Sequence, residues 1–209
     1  LEDLEILVRH GFRLIRVYDS GDNTRATLEL IQQHDLPLKV LLGVWLDAEM
    51  SNHDGCPWLE EPIPAAKLAT NAVRNYAELE RGIQLAQRFG DIVVAVNVGN
   101  EALVDWTDHE VPLERVINYV RRVRAAINQP VTVAENYLWW ARSGAPLAAE
   151  VAFLGVHTYP VWEGKTIDEA MGYTVYRHLD AAAVPMGSAP AAIPDREPMR
   201  PAVAGAPIP

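Results

Sequence analysis

The chain has 209 residues, 49% of them hydrophobic and 22% charged, which is the composition of a globular protein and too apolar for a disordered one. Its formal net charge of -10 at pH 7 disfavours a nucleic-acid partner, which needs clustered Lys and Arg, and also docking on anionic lipid. The single cysteine, Cys56, excludes an internal disulfide, and no apolar run is long enough to span a membrane. The sequence begins at Leu1 without a signal peptide, so the compartment stays open.

Helical patterns and short apolar runs alternate along the chain. Helices are predicted over residues 1–11, 24–35, 64–90 and 111–128, with Gly11 as a C-terminal cap, Thr24 as an N-cap and Pro112 at the start of the fourth helix. Between and after them, nearly continuous hydrophobic runs predict strands over residues 12–20, 38–47, 91–101, 130–140 and 151–160. Such alternation indicates βαβ units and a parallel sheet.

Two α/β architectures fit this order, an open doubly wound sheet and a (β/α)₈ TIM barrel. The barrel is favoured because Gly99 is not part of a G-x-G-x-x-G motif, which a dinucleotide site would need. Polar residues also follow many strands instead of one. No cofactor is therefore expected. A whole barrel takes about 250 residues, and only five strand units are visible, so we predict a partial barrel that lacks the first and the last strands.

The end of the chain has a different composition. Seven of the fifteen prolines lie between Pro185 and Pro209, in an Ala-rich context. Proline removes a backbone donor and interrupts both helices and strands. We therefore divide the chain into a partial barrel over residues 1–176 and a tail over 177–209 that is expected to be extended or disordered.

Polar and aromatic residues follow every predicted strand, and in a parallel barrel all of these strand ends open on one face. One strand-end aspartate is often only the N-cap of the next helix, which is an open alternative for Asp19, but five converging ends favour a site. The candidate site residues are Tyr18, Asp19, Trp45, Asn100, Glu101, Glu135, Trp139, His157 and Tyr159.

The residue types at these ends favour a carbohydrate ligand. Five of the six tryptophans follow strand ends, at positions 45, 106, 139, 140 and 162, although any single one of them could pack in the core or a loop. An indole face packs on the C–H face of a sugar ring, while carboxylates and amides bind its hydroxyls. Glycoside cleavage uses two carboxyl groups, and Glu101 beside Asn100 is the best acid/base candidate.

Four stretches carry a family resemblance: "IRVYDS", "VLLGVW", "VAVNVGNE" and "LGVHTYPVWEG", in that order. From about residue 1 to about residue 175 the chain resembles glycoside hydrolase family 17, the β-1,3-glucanases and their bacterial glucan-remodelling relatives. The resemblance implies a (β/α)₈ barrel of retaining enzymes, with a polysaccharide or oligosaccharide substrate and a secreted or extracytoplasmic location.

By this resemblance, Glu101 matches the acid/base at the end of the family's fourth strand, and Asn100 matches the asparagine that binds the sugar 2-hydroxyl. Tyr18 and Asp19 match a second-strand motif, and His157 and Tyr159 match the sixth-strand residues that line the subsites. Trp45, Glu135 and Trp139 stay less specific candidates for substrate binding.

The resemblance also has a gap. The family's nucleophile is a glutamate in a seventh-strand stretch like E-x-G-W-P, and the printed sequence contains no such stretch. Glu135 is a poor substitute because the neighbouring fifth strand does not place it across the barrel mouth.

Three functions therefore stay open at this point. The first is a retaining glucan hydrolase or transglycosylase, and the second is a non-catalytic carbohydrate-binding remnant. The third, a metal-dependent hydrolase using Asp19, Glu101 and His157, is disfavoured because only one histidine sits at a strand end and there is no H-x-H pair. We expect no bound metal.

Overall fold

The computed structural model describes residues 1–183, and within them five parallel strands alternate with helices. The strands are β1 (Leu14–Arg16), β2 (Lys39–Val44), β3 (Val93–Asn100), β4 (Val131–Asn136) and β5 (Gly155–His157). The helices are α1 (Glu2–Arg9), α2 (Asp22–Gln33), α3 (Ala65–Arg88), α4 (Leu113–Ala126), α5 (Tyr137–Ser143), α6 (Ala145–Ala148) and α7 (Ile167–Ala182).

The strands form one sheet in the order β1-β2-β3-β4-β5, and every neighbouring pair is parallel. Consecutive strands are therefore neighbours and each crossover contains a helix, which is barrel connectivity and not the reversed order of a doubly wound sheet. The predicted α/β partial barrel is confirmed.

The core lies between the sheet and its helices. The strands supply β-branched side chains to it and the helices supply one apolar stripe each, as amphipathic elements must. Fully buried examples from both layers are Leu28, Leu79, Val120, Val40, Val96 and Val98. None of the helices within residues 1–183 combines the length and the apolar character needed to cross a membrane.

The helix ends test the predicted caps. After α1, Gly11 takes a φ of +85° and donates to the carbonyl of Val8, while Phe12 donates to Leu7. These two hydrogen bonds form the Schellman motif, so the C-terminal cap at Gly11 is confirmed. The N-cap at Thr24 is wrong, because α2 begins at Asp22 and Thr24 lies buried in its first turn.

The fourth strand ends earlier than predicted. The side chain of Asn136 accepts a hydrogen bond from the backbone N–H of Leu138 at 2.8 Å, which starts α5 directly at the strand end. Trp139 and Trp140 are therefore helical. Trp140 is fully buried and donates from its indole nitrogen to the carbonyl of Gly155 at 2.8 Å, so it packs in the core, the alternative that the sequence left open for any single tryptophan.

The last helix also departs from the prediction. Helix α7 continues to Ala182, so the proposed domain boundary after residue 176 falls inside a regular helix. It begins with a capping box between Thr166 and Glu169. Exposed apolar side chains recur along it at every fourth position, namely Ile167, Met171, Val175 and Leu179. Residues 184–209, the rest of the proposed tail, lie outside the described part of the chain, and their extended or disordered state stays a prediction.

The buried position of Trp140 gives a test of the fold. Replacing Trp140 with Phe removes the donor to Gly155 and part of the packed volume, so the free energy of unfolding should fall by about 1–3 kcal/mol. Urea unfolding measures this change. The matched control is Trp58→Phe, at a site with 61% exposure, which should change the free energy of unfolding by less than about 0.5 kcal/mol. Equal effects at both positions would contradict the burial of Trp140.

Candidate functional site

The parallel register brings several polar strand ends to one edge of the sheet. Asn100 of β3 lies beside Ala134 of β4, and Asn136 of β4 lies beside His157 of β5. Residues paired in this way point to the same face of a sheet. The ends of β3, β4 and β5 therefore present Asn100, Asn136 and His157 to a common space.

The backbone makes an unusual turn where β3 ends. The register with β4 shifts between Asn97 and Asn100, Gly99 takes a φ of +85°, and Glu101 takes a φ of +50°. A left-handed φ is costly for a residue with a side chain, and such residues persist where their surroundings hold them. The backbone N–H of Glu101 donates to the carbonyl of Ala134 at 2.8 Å, which ties the turn to β4.

The carboxylate of Glu101 contacts a histidine from β5. Oε1 of Glu101 lies 2.9 Å from Nδ1 of His157, and both side chains are largely buried, with 17% and 14% exposure. Nη1 of Arg16 lies 3.2 Å from Nε2 of the same ring, and a guanidinium can only donate. Nε2 is therefore the acceptor and Nδ1–H donates to Glu101, which assigns the tautomer of His157.

A tyrosine completes this group. The hydroxyl of Tyr159 lies 3.2 Å from Nδ1 of His157, and Tyr159 also has a left-handed φ, of +40°. Partial burial, followed by the nearby carboxylate of Glu101, raises the pKa of Tyr159, so its hydroxyl keeps its proton at neutral pH. Two neighbouring site residues thus share strained backbone conformations, as is common at functional sites.

Arg16 is a site residue that the sequence reasoning missed. Its Nη2 donates to the side-chain oxygen of Asn100 at 2.8 Å, and its guanidinium lies 4.5 Å from the ring centre of Tyr18. It therefore orients Asn100 and His157 together. A signal was present, since a basic residue in the otherwise apolar stretch "LIRV" of a predicted strand needs a specific partner.

Beside Glu101 lies a cavity of about 560 Å³. Its walls combine aromatic faces with carboxylates, an amide and a histidine, the mixture that sugars need. The residues that line it are Trp58, Glu101, Val104, Trp106, Thr107, Asp108, His109, Asn136, Tyr159, Trp162 and Glu163.

Two loops that form the walls of this cavity are tied to each other. Trp58 lies in the loop between β2 and α3, and Trp106 lies in the loop between β3 and α4. The side-chain nitrogen of Asn52 donates to the carbonyls of Asp105 and Thr107, each at 2.9 Å. Trp58 was missed because it is thirteen residues beyond Trp45, and only the unusual length of that loop indicated a functional segment.

Two of the predicted site residues lie in a different cavity. Asp19 and Trp45 line a space of about 540 Å³ that does not include Glu101. Oδ1 of Asp19 accepts from the N–H of Gly21 at 2.8 Å and lies 3.3 Å from the hydroxyl of Thr24. Asp19 thus organises the start of α2, which is the alternative that the sequence left open.

Trp45 reaches the Glu101 cavity only indirectly, since its ring packs on His109 at 4.6 Å. Nε2 of His109 in turn lies 2.9 Å from the backbone oxygen of Asn100. The structure thus links Trp45 to the turn at Glu101 through His109.

The three residues considered for a metal site, Asp19, Glu101 and His157, do not lie together. His157 and Glu101 are neighbours, but Asp19 lies in the second cavity. Among residues 1–183, no group of three or more His, Cys, Asp or Glu side chains is arranged to hold a metal ion.

Trp139 does not join the Glu101 cavity. It packs edge-on against Trp140 at 5.2 Å and lines a neighbouring space, on the other side of Val104 and Trp106, together with Leu138 and Arg142. The position of Trp139 contradicts a direct contact with a ligand beside Glu101. The helical start at Tyr137, which the strand pattern hid, turns this side chain away.

Glu135 is the second departure from the predicted site. Its side chain is fully buried, and neither carboxylate oxygen receives a hydrogen bond of normal geometry. Burial, followed by the negative charge of Glu101, raises the pKa of Glu135 well above its usual range, while the N–H groups of Ala102 and Leu103 oppose this rise. A side chain without exposure cannot touch substrate, so the prediction that Glu135 binds substrate is wrong.

The raised pKa makes folding stability depend on pH. Below the ordinary value of 4.5, Glu135 is protonated in the folded and unfolded states and has no effect. As the pH rises above it, the unfolded chain ionises first and stability is lost, by up to about 1.4 kcal/mol per pH unit. A Glu135→Gln variant should therefore gain stability relative to the unmodified protein as the pH rises above 4.5.

Urea unfolding at several pH values measures this difference. Glu61→Gln, on an exposed loop, is the control and should give a difference that hardly changes with pH. A pH-independent difference for Glu135→Gln would contradict the buried, neutral state of this carboxyl group.

Known proteins resemble this chain in sequence and in fold. A glucan 1,3-beta-glucosidase from Arthroderma benhamiae is 26% identical over 197 residues, which are 90% of this chain and 55% of that protein. An endo-laminarinase from Formosa Hel1_33_131 superimposes with a TM-score of 0.71 at 22% identity, over 87% of this chain and 56% of that one.

A third similar protein is an active-site mutant of the β-1,3-glucanosyltransferase of Rhizomucor miehei, solved with laminaritriose. It superimposes with a TM-score of 0.63 at 18% identity, over 88% of this chain and 59% of that one. At such identities the structural likeness supports the barrel fold alone. The chain spans little more than half the length of these relatives.

The family comparison covers more of the sequence. A model of the BtgE/BtgC glycoside hydrolase domain matches residues 1–193, which include every strand and helix of the fold. The match also includes the turn at Glu101, its partner His157 and the aromatic cavity beside them. The chain belongs to the BtgE/BtgC glycoside hydrolase domain family.

Proposed function

We propose that the protein acts on β-1,3-linked glucan as a retaining glycoside hydrolase of family 17 type, with Glu101 as the acid/base. The observation that carries this proposal is the position of Glu101, which contacts His157 and lines an aromatic cavity large enough for sugar residues. The activities for which the similar proteins are named, a glucan 1,3-beta-glucosidase and an endo-laminarinase, support β-1,3-glucan as the substrate class.

The geometry of Glu101 suits proton transfer. Oε1 is held by Nδ1–H of His157, which fixes the side-chain orientation and leaves Oε2 as the oxygen for proton exchange. Arg16 holds the other side of the imidazole ring and also the amide of Asn100. Asn100 is thereby oriented to bind a sugar hydroxyl while Glu101 is fixed beside it.

In the proposed reaction, Glu101 donates a proton to the glycosidic oxygen as a carboxylate attacks the anomeric carbon and forms a glycosyl ester. The bond between the anomeric carbon and the glycosidic oxygen breaks in the same step, and the leaving sugar departs with a free hydroxyl group. In the second step, water attacks the same carbon and gives its proton to Glu101, and the ester bond breaks. The attacking carboxylate belongs, by the family 17 resemblance, to a seventh strand. Among the described residues, Asp108 and Glu163 are further carboxylates that line the cavity, and both enter the tests below.

Activity on laminarin tests this role of Glu101. The protein should release reducing ends from laminarin, and Glu101→Gln should lower kcat by at least about a hundredfold, because an amide cannot exchange the proton. Glu163→Gln and Asp108→Asn are matched controls that remove the other carboxylates of the same cavity. Activity retained in Glu101→Gln would overturn the assignment, and a comparable loss in one control would identify a second essential carboxylate.

Two alternatives are favoured by specific observations. Transglycosylation is supported by the likeness to a β-1,3-glucanosyltransferase, and it needs only a sugar hydroxyl in place of water in the second step. Binding without turnover is supported by the exposed indole of Trp162 in the cavity wall, which can pack on a sugar ring without any reaction. Chromatography of the products separates the three functions, because transfer yields longer oligosaccharides, hydrolysis yields shorter ones and binding yields neither.

The aromatic wall predicts where binding energy resides. Trp162 is 86% exposed beside the cavity, so Trp162→Ala should weaken binding of laminari-oligosaccharides by about tenfold through loss of stacking. Calorimetric titration of the Glu101→Gln background measures this without turnover. Trp139→Ala, which lies outside the cavity, should leave affinity unchanged once folding is verified by circular dichroism. The reverse pattern would contradict the assigned binding wall.

A further inference from the structure

His109 is a histidine whose two ring nitrogens are both engaged by the protein. Nε2 lies 2.9 Å from the backbone oxygen of Asn100, and because a carbonyl can only accept, Nε2 carries a proton. Nδ1 lies 2.9 Å from the hydroxyl of Thr107 and 2.7 Å from Oδ1 of Asp108. The ring packs on Trp45, with 4.6 Å between the ring centres. Although His109 lines the aromatic cavity, it therefore has no free nitrogen to offer to a sugar hydroxyl.

The carbonyl that His109 holds belongs to the peptide unit that joins Asn100 to Glu101. The N–H of the same unit, on Glu101, donates to the carbonyl of Ala134 at 2.8 Å. One polar group of this peptide is thus bonded to the loop before α4, and the other is bonded to β4. Together the two hydrogen bonds fix the rotation of the peptide plane about the line between its two Cα atoms.

The rotation of this plane decides the backbone conformation of Glu101. Turning a peptide plane changes ψ of the residue before it and φ of the residue after it, because the plane itself is rigid. The φ of Glu101 is +50°, a value that costs free energy in a residue with a side chain and persists only when its surroundings hold it. Loss of either hydrogen bond would let the plane turn toward an ordinary negative φ and carry the Glu101 side chain away from His157.

The two hydrogen bonds differ in what supplies them. The acceptor on β4 is a backbone carbonyl, which is present whatever the side chain of Ala134. The donor to Asn100 is a side chain, so this contact exists only because position 109 is a histidine. Its side chain is only 19% exposed and is held at Nδ1 and on the ring, which makes it a fixed anchor.

We propose that His109 is a positioning residue, which holds the Asn100–Glu101 peptide in the orientation that keeps the Glu101 side chain beside His157. This inference rests on the proposed acid/base function of Glu101. The feature that matters is an N–H donor at the place of Nε2. Glutamine can bring its amide N–H close to that place, whereas asparagine is one methylene shorter. Phenylalanine keeps a ring against Trp45 but has no donor.

Amide hydrogen exchange at Glu101 tests the positioning role without any need for turnover. In His109→Phe, this N–H should exchange about tenfold faster or more, because the peptide loses one of its two anchors. His109→Asn should have the same effect and serves where the larger phenylalanine disturbs the fold. In His109→Gln, exchange should stay within about threefold of the unmodified protein. The N–H of Val96, which donates to the carbonyl of Pro130 in the same strand pair, is the internal reference and should not change.

The matched control is His53→Phe. His53 also places Nε2 near a backbone carbonyl, that of Glu60 at 3.2 Å, but it does so in the loop after β2 and not at the turn. Its replacement should leave exchange at Glu101 within about threefold of the unmodified protein. An acceleration as large as that of His109→Phe would mean a general loosening of the loops and would overturn the specific role of His109.

Kinetics on laminarin separate this inference from the proposed function. With an active protein, His109→Phe should lower kcat by about tenfold or more with KM nearly unchanged, and His109→Gln should restore most of kcat. A raised KM with unchanged kcat would mean that His109 binds substrate directly, and it would overturn the inference. An inactive unmodified protein would overturn the proposed function, and the exchange data would still decide the positioning role. Unchanged exchange at Glu101 in the folded Phe and Asn variants, or equal losses of kcat in the Gln and Phe variants, would also overturn the inference.

Discussion

The site depends on one constraint, the parallel register of β3, β4 and β5. Parallel strands end at a common edge, and their register places Asn100, Asn136 and His157 on the same face of that edge. Because the sheet order follows the chain order, the loops after β2, β3 and β5 each add a wall to the same cavity. A shift of β5 by one residue would turn His157 away and leave Glu101 without its partner.

The turn after β3 converts this scaffold into a reactive arrangement. A regular strand would alternate Asn100 and Glu101 between the two faces, whereas the bulge and the left-handed residues Gly99 and Glu101 bring both toward His157 and Arg16. Maintaining that geometry costs backbone free energy. The surrounding contacts from β4 and from the loop before α4 offset this cost. The strained backbone thus lies where the proposed chemistry requires a fixed carboxylate.

The strands, the sheet type and the strand-end positions of Asn100, Glu101 and His157 could be predicted because they follow from local patterns, namely apolar runs, polar strand ends and the "VGNE" stretch. Arg16, which joins Asn100 to His157, was missed. The predictions that were wrong depend on where β4 ends and on contacts between residues that are distant in the sequence. Asn136 starts α5 within an apolar run, so Trp139 and Trp140 seemed to extend the strand. Glu135 seemed to be a strand-end ligand because the sequence does not show that both faces of β4 are covered and that all its residues are buried. Trp58 shares a cavity with Trp106, and the loop of Trp58 is tied to the loop of Trp106 by the hydrogen bond from Asn52 to Asp105, which no local pattern reveals.

The most direct test of the account is the response of the six indole N–H resonances to laminaritriose in an NMR titration. The cavity beside Glu101 predicts that the signals of Trp58, Trp106 and Trp162 move with a common affinity, while the signal of the buried Trp140 stays in place. Saturable shifts confined to Trp45 or Trp139, or no shift at millimolar ligand, would contradict a glucan site at the ends of these strands.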